Sequence, residues 1–127
     1  MIYLFIKFSL NLKNFQKQKE ILFIIPARSG SKGVKNKNLK LCAGESLLRR
    51  AVKIAINMDF DSRVIVSTDS EKYLNHVEDL KCSKNFLRPS YLSGDSIGDI
   101  EVLTQSLHSA EVEFNENYKC VAMLQPT

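Results

Sequence analysis

Residues 21–39 read ILFIIPARSGSKGVKNKNL, and this stretch decides the fold. Ile21 to Ile25 are consecutive apolar residues, with Ile21, Ile24 and Ile25 β-branched, and Pro26 closes the run. A short apolar run ended by a turn former reads as a strand buried on both faces. Directly behind it stand Arg28, Ser29, Gly30, Ser31, Lys32 and Gly33, then Lys35, Lys37 and Lys40. A buried strand emptying into a glycine-, serine- and lysine-rich loop is how α/β proteins hold phosphates: glycines let backbone amides approach, and cations neutralise the charge. Neither common phosphate signature is met. A P-loop needs Gly-Lys-Ser/Thr, whereas Val34 follows Gly33, and Gly-x-Gly-x-x-Gly is absent. On spacing alone, a solvated basic turn is the alternative reading.

Charge placement favours an anionic ligand. Between Arg28 and Lys53 eight cations face Glu45 alone, a local +7 that leaves −3 for the rest of a chain of net charge +4. No aromatics interleave with these cations, as stacking on nucleic-acid bases would require, so a nucleotide fits better than a polynucleotide. The 127 residues, 44% of them apolar, suffice for one modest domain with a real core. Cys42, Cys82 and Cys120 are odd in number and widely spaced, which supports neither a zinc site nor a disulfide framework, and they read as reduced thiols of a cytoplasmic protein. His76 and His108 read as surface helical residues. The apolar start at residues 1–6 is interrupted by Lys7 and falls far short of a membrane span, and it lacks the marks of a signal peptide. Asn11 to Glu20, polar and lysine-rich, reads as a loose linker or frayed helix.

Further along, Ser46 is a candidate N-cap for a helix over 47–58, with Leu47, Leu48, Ala51, Val52, Ile54, Ala55, Ile56 and Met58 giving a broad apolar face and Arg49, Arg50 and Lys53 outward. Arg63 to Ser67 reads as a second buried strand ending in Thr68-Asp69, at the edge where open parallel sheets bind ligands. Asp69 either caps a helix over 70–80 or lines the site. Residues 85–88 suit a short strand ended by Pro89, followed by a turn-rich loop and a helix of about fourteen residues. That helix carries Ile97, Ile100, Leu103 and Leu107 on one face, flanked by Val102 and Ala110. Cys120 to Leu124 is a third buried strand. Alternating strands and helices give an α/β fold, a three-layer α/β/α sandwich around a mostly parallel sheet.

Four ordered motifs carry a resemblance: Pro26-Ala27-Arg28-Ser29-Gly30-Ser31-Lys32-Gly33-Val34-Lys35-Asn36-Lys37-Asn38-Leu39, Val66-Ser67-Thr68-Asp69, Leu87-Arg88-Pro89 with Leu92 and Asp95, and Leu124-Gln125-Pro126-Thr127. Over residues 20–127 the chain resembles the acylneuraminate cytidylyltransferases, the CMP-sialic acid synthetases. The Kdo cytidylyltransferases, whose loop ends in Thr-Arg-Leu-Pro-Gly-Lys, fit less well. The resemblance sharpens the fold to a Rossmann-like sheet of the nucleotide-diphosphosugar transferase type with its C-terminal part missing.

The resemblance implies transfer of a cytidylyl group from CTP to a nonulosonic acid such as N-acetylneuraminate, with release of pyrophosphate. It marks Ala27, Arg28, Ser29, Gly30, Ser31, Lys32, Gly33, Lys37, Asn38, Arg88 and Gln125 as nucleotide-binding, with Arg28 and Lys37 as the catalytic cations. Two departures stand out. Glu45-Ser46 replaces a basic residue and proline, and Gly98-Asp99 replaces small hydroxylic residues, so no role is carried to Asp99. The family's Mg2+ ligands, most of its sugar pocket and its dimerising segment are expected beyond residue 127. Residues 21–127 are accordingly expected to be a truncated nucleotide-binding portion, inactive or weakly active alone, behind an atypical extension, residues 1–20. A non-catalytic CTP-binding remnant and a basic nucleic-acid-binding domain are the alternatives; the leading reading has no nucleic-acid or membrane partner.

Overall fold

The apolar run at 21–25 becomes the middle strand of a five-stranded sheet. The computed structural model describes residues 2–6, 17–30, 35–80, 82, 86–94 and 96–127. Its strands are β1 (Ile2–Ile6), β2 (Lys17–Pro26), β3 (Leu41–Cys42), β4 (Glu45–Ser46), β5 (Ser62–Thr68), β6 (Phe86–Leu87) and β7 (Glu116–Leu124), and its helices are α1 (Leu47–Asn57), α2 (Glu71–His76) and α3 (Asp99–Phe114). The main sheet runs β1-β7-β2-β5-β6, all parallel except β1, which lies antiparallel to β7. β3 and β4 form a separate small hairpin, turned through Ala43 and Gly44 at φ 54° and 82°. Positive φ at both central residues is what a two-residue hairpin turn demands.

Strand alternation explains why an unbroken apolar run was needed. Phe23 and Ile25 face one way and pack with Leu48, Val52 and Ala55 of α1 and Tyr73 of α2. Leu22 and Ile24 face the other way and pack with Leu103 and Ala110 of α3 and with Tyr118 and Met123. Helices therefore cover both faces, giving the three layers expected. Leu22, Ile24 and Ile25 have no exposed surface, and each contributes roughly 1.5–3 kcal/mol by burial.

The helices follow their sequence signals with instructive differences. Ser46 caps α1 by accepting from the Arg49 amide at 3.2 Å, and Leu48, Ala51, Val52 and Ala55 point inward. The helix expected over 70–80 ends at His76, because Val77 (φ −119°, ψ 6°) leaves the helical region and the chain continues as turns. His76 is half-buried rather than a surface residue: its Nε2 lies 2.8 Å from Ser46 Oγ, so it buttresses the α1 cap. His108 is exposed as expected. In α3 the inward stripe is Val102, Leu103, Ser106 and Ala110, while Ile100 is 59% exposed. Ile100 sits in the first turn of the helix.

The stretch expected as linker differs most. Lys17 to Glu20 extend β2, and Lys17 to Lys19 pair with Glu116 to Tyr118 of β7. Their polar side chains are satisfied at the sheet's end: Lys19 donates to Asp61 at 2.9 Å, and Glu20 accepts from the Asp61 amide at 3.0 Å. Ile2 to Ile6 form β1 by main-chain pairing, which covers the outer edge of β7. At the same end Arg63 grips Glu116 at 2.5 and 3.0 Å, Tyr118 donates to Glu116 at 2.9 Å, and the guanidinium stacks 4.0 Å above Phe114. Burial pushes the Glu116 carboxyl up, yet the bonds from Arg63 and Tyr118 outweigh it and leave the group below its ordinary value.

From β2 the chain builds outward through β5 to β6, then crosses to the other side of β2 to lay down β7. The strand order thus reverses between β2 and β7. Open α/β sheets bind ligands outside the carboxyl ends of the strands at such a reversal.

Candidate functional site

At that reversal, past the carboxyl ends of β2 and β7, lies a cleft of about 350 Å³. Pro26 and Arg28 come from the end of β2, Lys37 and Asn38 from the 3-10 turn Lys37–Leu39, and Arg88 from behind β6. Gln125, Pro126 and Thr127 continue β7, while Leu92, Gly94, Ile97, Asp99 and Val102 close the side beneath α3. The cleft is therefore polar and cationic on one wall and largely apolar on the other. Such a shape suits an anionic group joined to a flat ring.

Five of the residues expected at a nucleotide site, Arg28, Lys37, Asn38, Arg88 and Gln125, converge here from four separate parts of the chain. Asn38 is 8% exposed and donates from Nδ2 to the Arg28 carbonyl at 3.2 Å, bracing the two cationic segments against each other. Arg88 is 6% exposed. Its Nε donates to Ser67 Oγ at 3.1 Å, one terminal nitrogen to the Ser67 carbonyl at 2.8 Å, and the other to the Leu92 carbonyl at 3.3 Å. Burial lowers its pKa, Asp69 opposes that shift, and the Arg28 charge adds to it. A guanidinium desolvated this way gains from an incoming anion.

The other expected residues are placed differently. The Ala27 side chain enters the core at 1% exposure, and its amide donates to the Ser67 carbonyl at 2.9 Å. Ser29 stands beside the cleft but is bonded to Asp69, its amide at 2.8 Å and its hydroxyl at 2.9 Å. Gly30 is exposed, and a Cβ there would meet nothing within 4 Å among the described residues. Ser31, Lys32 and Gly33 lie outside the described residues. Asp69 does not cap α2: Ser70 is the N-cap residue and makes no side-chain cap bond, while the Asp69 carboxylate faces the loop.

The cations of α1 do not join the cleft's cationic wall. Arg49 donates to both Asp79 carboxylate oxygens at 2.6 and 2.9 Å, which holds that carboxyl down to about 2. Lys53 pairs with Glu45 at 2.5 Å, and Arg50 donates to the Cys42 carbonyl. Sequence reasoning missed the apolar wall. Leu92, Pro126 and Thr127 stood inside quoted motifs, so their signal was present, and Asp99 stood out as a departure from the family's small hydroxylic residues, with no role assigned to it. Among the described residues no group of three or more His, Cys, Asp or Glu side chains could hold a metal ion, and Asp99 is the one carboxylate lining the cleft.

A mostly parallel sheet with a cationic crevice at its reversal point defines an open α/β protein with its candidate ligand site at the strand ends. The solved structure of CMP:2-keto-3-deoxy-manno-octonic acid synthetase complexed with CTP shares this fold, with TM-score 0.67 and 21% identity over 84% of this chain and 40% of that one. The chain belongs to the cytidylyltransferase family, whose profile matches residues 22–116. It is 35% identical over 108 residues to an N-acylneuraminate cytidylyltransferase of Escherichia coli O18:K1:H7, covering 85% of this chain and 24% of that protein. It is 31% identical over 107 residues to a CMP-N,N'-diacetyllegionaminic acid synthase of Legionella pneumophila, covering 84% of this chain and 46% of the relative. A two-part pseudaminic acid cytidylyltransferase and hydrolase of Helicobacter pylori matches at 31% over 97 residues, 76% of this chain and 19% of that protein. The chain thus spans less than half the length of these relatives.

Proposed function

We propose that this chain supplies the CTP-binding part of a cytidylyltransferase that activates a nonulosonic acid. The observation that carries the reading is the convergence of Arg28, Lys37, Asn38, Arg88 and Gln125 on one cleft at the sheet's reversal point. In the reaction, the sugar acid's anomeric hydroxyl attacks the α-phosphate of CTP. The new C–O–P linkage forms as the bond to pyrophosphate breaks, and the hydroxyl proton is lost to solvent or a base. Such transfers depend on positioning and charge neutralisation more than on covalent chemistry. Arg28 and Lys37 would neutralise the triphosphate and the departing pyrophosphate, while Arg88 and Gln125 would hold the nucleotide from the neighbouring strand ends. The apolar wall of Leu92, Ile97 and Val102 would take the cytidine.

Family chemistry uses a divalent cation with CTP, but the described donor set, a single cleft carboxylate, does not build a site for one. The family relatives act on N-acylneuraminate, N,N'-diacetyllegionaminic acid and pseudaminic acid, and which of these sugar acids belongs here is the finer question. The test is pyrophosphate release and CMP-sugar formation from CTP, Mg2+ and each sugar acid in turn. Product with one acid supports the full reading and names the substrate. CTP binding without product leaves the nucleotide half standing and removes the transfer, and no CTP binding removes both.

A further inference from the structure

The two cations that line the cleft from this loop, Arg28 and Lys37, are each the immediate neighbour of a residue tied to the same corner of the fold. Ser29, next to Arg28, gives its amide and its hydroxyl to the two oxygens of Asp69 at 2.8 and 2.9 Å. Asn36, next to Lys37, accepts from the Tyr73 hydroxyl at 3.3 Å and holds a left-handed backbone at φ 51°. Asn38 closes the arrangement through its bond to the Arg28 carbonyl at 3.2 Å. Asp69 follows β5, and Tyr73, 1% exposed, lies one turn into the structure beyond it, packed in the core between α1 and the sheet.

Asp69 is the odd member. An acid close enough to act electrostatically on both Arg88 and Tyr73 adds negative charge beside a site read as holding three phosphates. By Coulomb's law alone it weakens nucleotide binding. Its geometry answers the puzzle, because each carboxylate oxygen accepts a hydrogen bond from Ser29 and so ties the acid to the loop that carries Arg28. We infer that Asp69 and Tyr73 are a positioning pair: they fix Ser29 and Asn36 to the rigid β5–α2 corner and so aim Arg28 and Lys37 at the triphosphate. The inference rests on the CTP reading above. Neither residue touches the ligand. Pre-organised cations bind more tightly because less ordering remains to be done on association.

The two accounts of Asp69 predict opposite signs. Binding of CTP, CMP and cytidine is measured by calorimetry on the full chain and on Asp69→Ala, Tyr73→Phe, Arg28→Ala and the double variant D69A/R28A, with circular dichroism as the folding control. Positioning predicts that D69A weakens CTP roughly 10- to 100-fold, the scale of a charge-assisted hydrogen bond, with little change for cytidine. It further predicts that D69A costs less than about threefold once Arg28 is gone, since the Ser29 tie then has no neighbouring cation to aim. Y73F keeps the packed ring and loses one neutral bond, so CTP weakens roughly threefold. D69A binding CTP as tightly as wild type or tighter overturns the inference, and so does an unchanged D69A penalty in the R28A background. If D69A does not fold, Y73F decides alone, and wild-type CTP affinity there overturns it. A wild-type chain that binds no CTP overturns the underlying reading as well, which separates the two failures.

Discussion

Replacing Arg88 with Met separates what this residue does for the fold from what it does for the ligand. The guanidinium makes three hydrogen bonds, to Ser67 Oγ, the Ser67 carbonyl and the Leu92 carbonyl. At about 1–1.5 kcal/mol each, their loss amounts to about 3–4.5 kcal/mol. Against this, removing a buried charge returns a desolvation cost of several kcal/mol. Met fills most of the volume, and the Ser67 carbonyl keeps its bond from the Ala27 amide at 2.9 Å. The unliganded variant should therefore lie within about 2 kcal/mol of wild type. CTP affinity behaves otherwise. Losing one charge-assisted contact costs about 1.5–3 kcal/mol, or roughly 10- to 150-fold in Kd. Urea unfolding with and without nucleotide reads both quantities. At a CTP concentration of 100 times the wild-type Kd, nucleotide stabilises wild type by about 2.7 kcal/mol, whereas a variant bound 50-fold more weakly gains only about 0.6 kcal/mol. An unliganded loss above about 4 kcal/mol with the CTP gain intact refutes the reasoning, because Arg88 would then be a structural tie alone.

At the far end of the sheet, Glu116→Gln should cost about 2–3 kcal/mol at neutral pH, since it removes the carboxylate that Arg63 grips. Because the folded-state pKa of Glu116 is depressed, the carboxylate's contribution is fully present above the unfolded value and is lost as pH falls through the folded one. Acid titration of stability should show that loss in wild type and not in E116Q, and parallel profiles would contradict the pairing. Within the cleft, Arg28→Ala and Lys37→Ala should each weaken CTP binding by roughly 1–3 kcal/mol in calorimetry. Wild-type affinity in both would remove the loop from the site.

The parts of this fold that could be read from sequence are those where burial forces a pattern. Ile21 to Ile25, Val64 to Val66 and Cys120 to Leu124 had to be continuously apolar, because helices cover both faces of the sheet. Lys17 to Glu20 carry no such pattern. They join β2 through main-chain pairing and ties to Asp61, which leave no periodic trace. The site divides in the same way. Arg28, Lys37 and Asn38 announced themselves as a local cluster, and motif order pointed to Arg88 and Gln125. The bond between Asp69 and Ser29 joins residues 40 positions apart, and no local rule connects them. A carboxylate after a strand satisfies the capping rule equally well, so only the folded loop shows which donor it takes.

The most direct test of the central claim is an amide-resolved NMR titration of the chain with CTP, repeated with GTP. The account predicts saturable shifts for CTP clustered at Arg28, Lys37, Asn38, Arg88, Leu92 and Gln125, with the Arg63–Glu116 end of the sheet unmoved and a weaker response to GTP. Shifts spread evenly over the basic surface, the same for both nucleotides and abolished by modest salt, would contradict a built site and reduce the cleft to a patch of positive charge.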